Sequence, residues 1–265
     1  MTAIITDPSL EELLKAQRHL TGTDRYDEVW EGTYMMAPMP NDEHQQIVSL
    51  MTAILVDVVR WPGLGEVRPG VNVTDQDKDW TQNCRVPDVA VFLNDGSARN
   101  CGTHWFGGPD FVIEIISPGD QVREKLPFYE KVAVRELLLI DRDPWSLELY
   151  RLEEGTFAKV GNATFEQPSL LASNVVWLTF RLIAGSPRPQ IEVTQADGGK
   201  QWLVGATRRS LPRMSFRGNR TGQRQASVAH PPPCPTPIRR AAEKNLPVAT
   251  VARRWNAVRS TVWRP

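Results

Sequence analysis

The chain has 265 residues, 41% of them hydrophobic and 23% charged. That composition excludes a chain too polar to build a core, and no apolar run approaches the roughly 20 residues that span a bilayer. The formal net charge of +0 conceals a division: residues 205–265 hold thirteen Lys and Arg against one Glu, a net of +12, whereas residues 1–204 hold 18 against 30, a net of −12.

Cys84, Cys101 and Cys234 are odd in number, widely spaced and form no CxxC pair. A disulfide framework or zinc cage is not expected, and a reducing cytoplasm is the natural setting. The opening Met1-Thr2-Ala3-Ile4-Ile5-Thr6-Asp7 lacks the basic and apolar regions of a secretory leader.

In chain order, Ser9 to Gln17 predicts a short helix with Ser9 as N-cap. Tyr26–Glu31 and Thr33–Met36 predict a hairpin turning near Gly32. The next helix is capped by Asn41 or Asp42 and carries Ile47, Leu50, Met51, Ile54, Leu55 and Val58 at helical spacing, stopping at Trp61-Pro62-Gly63. Glu43 lies four residues before Ile47, on the apolar stripe. It reads equally as a first-turn acid favouring the helix dipole or as a functional carboxylate.

Val67, Val71 and Val73 alternate as a strand, and Asp75-Gln76-Asp77-Lys78-Asp79 reads as a solvated hairpin turn. Arg85 to Leu93 predicts an apolar strand carrying Asp88. A turn-rich link follows from Asn94 to Pro109, and then the strand Phe111-Val112-Ile113-Glu114-Ile115-Ile116. Helical spacing resumes through Lys125, Leu126, Tyr129 and Val132, with Pro127 limiting where that helix begins. Leu137–Ile140 reads as a buried strand ending at Asp141, and Leu147–Leu152 with Thr156–Val160 as a hairpin. Trp177–Ile183, Gln190–Thr194 and Trp202–Val204 close the globular part. Interleaved helices and alternating strands predict an α/β or α+β sheet domain over residues 1–204.

From about Gly205 the chain turns rich in Arg, Ser, Pro and Gly, which predicts a disordered basic tail. Within it, Val248, Val251, Trp255, Val258 and Val262 give residues 247–263 the pattern of a short basic amphipathic helix. It reads as a dispensable extension or as a contact for nucleic acid, anionic lipid or a partner groove.

A carboxylate inside an apolar strand costs several kcal/mol unless it is paired, protonated or bound to a metal. Glu114 and Asp88 therefore mark a site that gathers hard oxygen ligands, as Mg²⁺ and Mn²⁺ prefer. Glu43, Asp88, Glu114 and Lys125 form the candidate catalytic set, with Asp88, Glu114 and Glu43 as candidate metal ligands. A bound cation polarises a phosphoryl oxygen and lowers the pKa of bound water, and a nearby lysine stabilises charge on the phosphate. Each also has a plain structural reading: Asp88 as a turn end, Lys125 as a solvated helix lysine, Tyr129 as a core ring with its hydroxyl bonded. His19, His44, His104 and His230 are isolated; His44, beside Glu43, reads as a contact to the site or, better, as a capping or surface residue. Ser117 lacks a GxSxG setting and no glycine-rich phosphate loop occurs, which speaks against a serine hydrolase and an NTPase.

Pro87-Asp88 followed by Glu114 in an apolar strand resembles the PD-(D/E)XK nuclease superfamily, and more narrowly the Uma family of restriction-type endonucleases common in bacteria. The matching stretches, in order, are Pro40–His44, Val86–Val89, Pro109–Pro118, and Glu124–Tyr129 leading to Val134–Asp141, within about residues 20–195. The resemblance implies a mixed sheet flanked by helices, Asp88 and Glu114 as metal ligands, Glu43 as a helix-borne third acid, Mg²⁺ dependence and DNA as substrate. One departure stands out: the lysine expected two residues after the strand acid is Ile116. Lys125 on the next helix is the best replacement, with Gln121 or Arg123 as substitutes. The competing reading is a catalytically weak nuclease-fold module that binds DNA or a partner. An acidic body suits tight DNA binding poorly, because affinity comes largely from phosphate neutralisation. The basic tail or homodimerisation would supply that charge.

Overall fold

The computed structural model describes residues 3–4 and 7–205. The expected tail helix at 247–263, and all but the first residue of the basic tail, lie outside the described residues. Three sheets occur among the described residues, of seven, six and four strands. No described helix is long and apolar enough to cross a membrane.

The six-stranded sheet positions the candidate acids. Its order is Thr156–Ala163, Trp145–Glu153, Glu136–Arg142, Phe111–Ile115, Val89–Leu93 and Gly65–Pro69. Phe111–Ile115 runs parallel to Glu136–Arg142 and antiparallel to Val89–Leu93, so the sheet is mixed as expected. A parallel pair needs a crossover. Here it carries a 3₁₀ turn, Val122–Lys125, and the helix α3, Leu126–Lys131, with Pro127 in its first turn where its missing N–H costs nothing.

The two faces of this sheet bury different partners. On one, Phe111, Ile113, Ile115, Leu138 and Ile140 pack with Ile47, Met51 and Leu55 of the helix α2, Asp42–Leu55. On the other, Val112, Ala90, Leu137 and Leu139 pack with Phe128 and Tyr129 of α3. Strand alternation puts Glu114 on the α3 face with Val112.

Several boundaries differ from the sequence reading, each for a local reason. The first helix, α1, spans Pro8–Thr21, and Asp7 caps it instead of Ser9: Asp7 Oδ1 accepts the N–H groups of Ser9 at 2.9 Å and Leu10 at 3.0 Å. Asn41 caps α2 by accepting the His44 N–H at 2.9 Å, and the helix runs on through a π-type turn, Val56–Arg60, to Trp61. The segment read as one strand from Arg85 to Leu93 is two: Cys84–Arg85 in the seven-stranded sheet and Val89–Leu93 in the six-stranded one. Pro87, with no N–H to give a ladder, sits in the bridge between them. Val67 and Val73 likewise belong to different sheets, separated at Gly70, whose φ of 57° is left-handed. The link from Asn94 to Pro109 holds two strands of two residues each, Arg99–Asn100 and Trp105–Phe106.

Candidate active site

Register brings the two strand acids together. Val89 pairs with Ile113 in the antiparallel ladder, so Asp88, one step before Val89, lies opposite Glu114 on the same face. The Ile115 N–H donates to Asp88 Oδ2 at 2.7 Å, which fixes the carboxylate at the strand end. Both acids line one cavity of about 190 Å³ with Glu28, His44 and Lys125.

Glu114 is 2% exposed and Lys125 8% exposed. The lysine is therefore not a solvated helix residue. Lys125 Nζ lies 3.1 Å from Glu114 Oε1 and 2.9 Å from Glu28 Oε1. The Tyr129 hydroxyl donates to Glu114 Oε1 at 2.5 Å. Glu28 is held in turn: its Oε1 accepts the Val86 N–H at 2.7 Å and its Oε2 accepts the Trp30 indole N–H at 2.6 Å. Among the described residues Asp88 Oδ1 and Glu114 Oε2 accept no hydrogen bond. Each acid thus keeps one oxygen for another partner.

The electrostatics follow from burial and from an excess of acids. Burial raises the Asp88 carboxyl well above the usual carboxylate range, and the neighbouring Glu114 charge adds to it. Burial pushes Glu114 up to about 7, with Lys125 pulling it down and Glu28 pushing it up. Burial alone would lower the Lys125 ammonium, but Glu114 and Glu28 outweigh it and hold the charged form. Burial, then the nearby Arg142 charge, lowers His44 to about 4, which leaves the imidazole neutral near pH 7. Two carboxylates, one buried and one half-buried, that resist ionisation side by side are a seat for a cation. Mg²⁺ and Mn²⁺ are commonly held by one or two carboxylates plus water, so the donor set fits such an ion. Among the described residues no three His, Cys, Asp or Glu side chains converge as a ready metal cage.

The structure brings together three of the four sequence-derived candidates, Asp88, Glu114 and Lys125. It places Glu43 elsewhere. Glu43 Oε2 pairs with Arg142 Nη1 at 3.2 Å and Oε1 with Arg188 Nε at 2.9 Å, along a neighbouring cavity of about 370 Å³. Arg123, a substitute for the missing strand lysine, is turned away onto Glu148 at 2.5 Å, so Lys125 is the cation that reaches Glu114.

Two residues of the cavity lie outside the candidate set: His44, for which a capping or surface role is the preferred reading from sequence, and Glu28. His44 is buried instead of capping or facing solvent, with Nε2 3.0 Å from Asp88 Oδ2. The available signal was its spacing, three residues before Ile47 and four before Val48, which puts it on the buried stripe of α2. Glu28 gave no signal, because its strand buries the acid and leaves Val29 partly exposed.

The family model that matches the chain is Uma2, described as "Putative restriction endonuclease", over residues 10–181. No curated protein matches the chain. Among solved structures, the chain is similar to one described as a "putative nuclease belonging to DUF820" from Anabaena variabilis. The two are 24% identical, with 56% of this chain and 80% of that chain covered and a TM-score of 0.45.

Proposed function

Because the chain belongs to the Uma2 family, whose model matches residues 10–181, we propose that it is a divalent-metal-dependent endonuclease hydrolysing DNA phosphodiester bonds. The observation that carries this reading is the pair of facing carboxylates, half-buried Asp88 and buried Glu114, each with a free oxygen beside a lysine held between Glu114 and Glu28.

Asp88 and Glu114 are the residues that would hold Mg²⁺ or Mn²⁺. When bound, such an ion polarises a phosphoryl oxygen and lowers the pKa of bound water. Lys125 has three N–H donors, two of them directed to Glu28 and Glu114, which leaves one for a phosphate oxygen. Its charge is held by those same acids, so its role is to stabilise developing negative charge and not to accept a proton. Tyr129 fixes Glu114 through Oε1 and so leaves Oε2 available. Apolar walls from Trp30, Met35 and Val86 limit competing water. Lys125 thus takes over, from the next helical turn, the task of the lysine absent at Ile116.

Cleavage of supercoiled plasmid with Mg²⁺, Mn²⁺ or EDTA tests this, comparing wild type with Asp88→Ala and Glu114→Ala. Metal-dependent nicking that disappears in both variants is the expected result. Nicking that persists in EDTA, or in both variants, would sink the assignment. A folded wild type that binds plasmid but cuts no sequence would favour the binding-module reading.

A further inference from the structure

His44 makes a contact that ordinary hydrogen bonding does not explain. Its Nε2 lies 3.0 Å from Asp88 Oδ2, yet the approach lacks hydrogen-bond alignment, and both Nδ1 and Nε2 are buried with no hydrogen-bond partner. Leaving a buried polar atom unsatisfied is destabilising. The residue is only 8% exposed, so cavity water does not readily relieve that cost. Asp88 Oδ2 already accepts the Ile115 N–H, and its other oxygen is free. The imidazole nitrogen and the carboxylate oxygen are close enough for one positive centre to sit against both.

The spacing identifies that centre. Two ligands in adjacent octahedral positions about 2.1 Å from one cation lie roughly 3.0 Å apart. We infer that His44 Nε2 and the Asp88 carboxylate together form the seat of the divalent cation, and that the imidazole gives this seat a preference for Mn²⁺ over Mg²⁺. This rests on the metal-dependent reading above and adds a nitrogen ligand to it. Mg²⁺ favours all-oxygen surroundings, whereas Mn²⁺ belongs to the first-row transition metals, whose divalent ions bind sites of mixed nitrogen and oxygen donors. Few protein ligands are needed, because such ions keep several waters. Glu114, opposite Asp88 in the ladder, remains the second carboxylate of the seat.

The full-length protein, stripped with EDTA, is titrated with Mn²⁺ and with Mg²⁺ by calorimetry. Electron spin echo envelope modulation of the Mn²⁺-loaded protein reports whether an imidazole nitrogen is directly coordinated. His44→Leu keeps bulk and removes both nitrogens, and it is expected to melt no lower than wild type because two unpartnered buried atoms disappear. His44→Gln serves if the leucine variant does not fold. The expected result is Mn²⁺ bound roughly tenfold or more tightly than Mg²⁺ with a nitrogen signal, and loss of both the signal and the preference in the His44 variant. A wild type without the nitrogen signal, or a His44 variant with unchanged Mn²⁺ affinity, overturns the inference. Asp88→Asn then separates the two levels. If that variant alone loses the metal, carboxylates hold the ion and only the role of His44 falls. If wild type binds neither ion, the metal-dependent reading falls with it.

Discussion

Two neighbouring cavities share Asn41, Ser117, Pro118 and Asp120 on their walls, yet they treat their carboxylates in opposite ways. In the larger, both oxygens of Glu43 are taken by arginines, and Arg142 is further tied to Asn41 and Ser117. In the smaller, Glu28, Asp88 and Glu114 face one buried lysine, and two oxygens stay without a hydrogen bond. A satisfied ion pair is a brace, and an acid cluster short of positive charge is a place to bind something. Both Glu43 and Asp88 are acids near the same loop. Only their partners tell the two roles apart.

The sharpest way to break this contrast is to remove one acid from each cavity and read cleavage. Glu114→Gln is expected to reduce cleavage by roughly 10³-fold, the scale of losing one well-placed charge in an active site. Glu43→Gln should leave cleavage within a few-fold at temperatures where the protein is folded. Equal losses from both would erase the distinction.

Lys125→Met addresses the lysine itself. It leaves Glu28 and Glu114 buried with no cation between them, so about 3 kcal/mol of stability should be lost at pH 8 in urea titrations. The loss should shrink at pH 5, where Glu114, already pushed up to about 7, takes a proton. A pH-independent loss would mean that Lys125 contributes packing alone.

For the brace, thermal melts of Glu43→Gln should show about 2 kcal/mol of destabilisation, the scale of charge-assisted bonds to a buried arginine. Arg142 is 5% exposed and would lose a counter-charge. No change in melting would remove Glu43 from the structural role.

The smallest effect is the most diagnostic of the acid pair. The folded-state pKa of Asp88 is raised, so the stability this group contributes is present at low pH and lost as pH rises. Asp88→Asn removes that penalty while its amide oxygen can still accept the Ile115 N–H. In EDTA the variant should be more stable than wild type by about 1 kcal/mol at pH 8, with the gain vanishing toward pH 4. A destabilised variant at pH 8 would show that Asp88 is an ordinary ionised carboxylate.

Much of this was legible before the structure, and the gaps have physical causes. Glu114 stood out because an acid in a five-residue apolar strand has few cheap explanations. Lys125 was found as the replacement for the lysine absent at Ile116, but its burial was not, because the local sequence does not show that Glu28 waits opposite it. Glu43 and His44 differ by one residue, about 100° around a helix, and the apolar stripe is wide enough to admit either. The buried face, which runs through Ile47, Val48 and Met51, decides for His44. Strands of two residues, such as Trp105–Phe106, carry too little periodicity to read at all. The split of Arg85–Leu93 was marked by Pro87, which argues against an unbroken inner strand.

That split also has a mechanical consequence. Asp88 stands at the end of a bridge of three residues, with one sheet anchored at Arg85 and another at Val89. Glu28 and Glu114 belong to those two sheets respectively. Lys125 is thus clasped from both sides, and the cavity is a seam between two sheets. The gap between those charges therefore depends on how the two sheets are seated against each other.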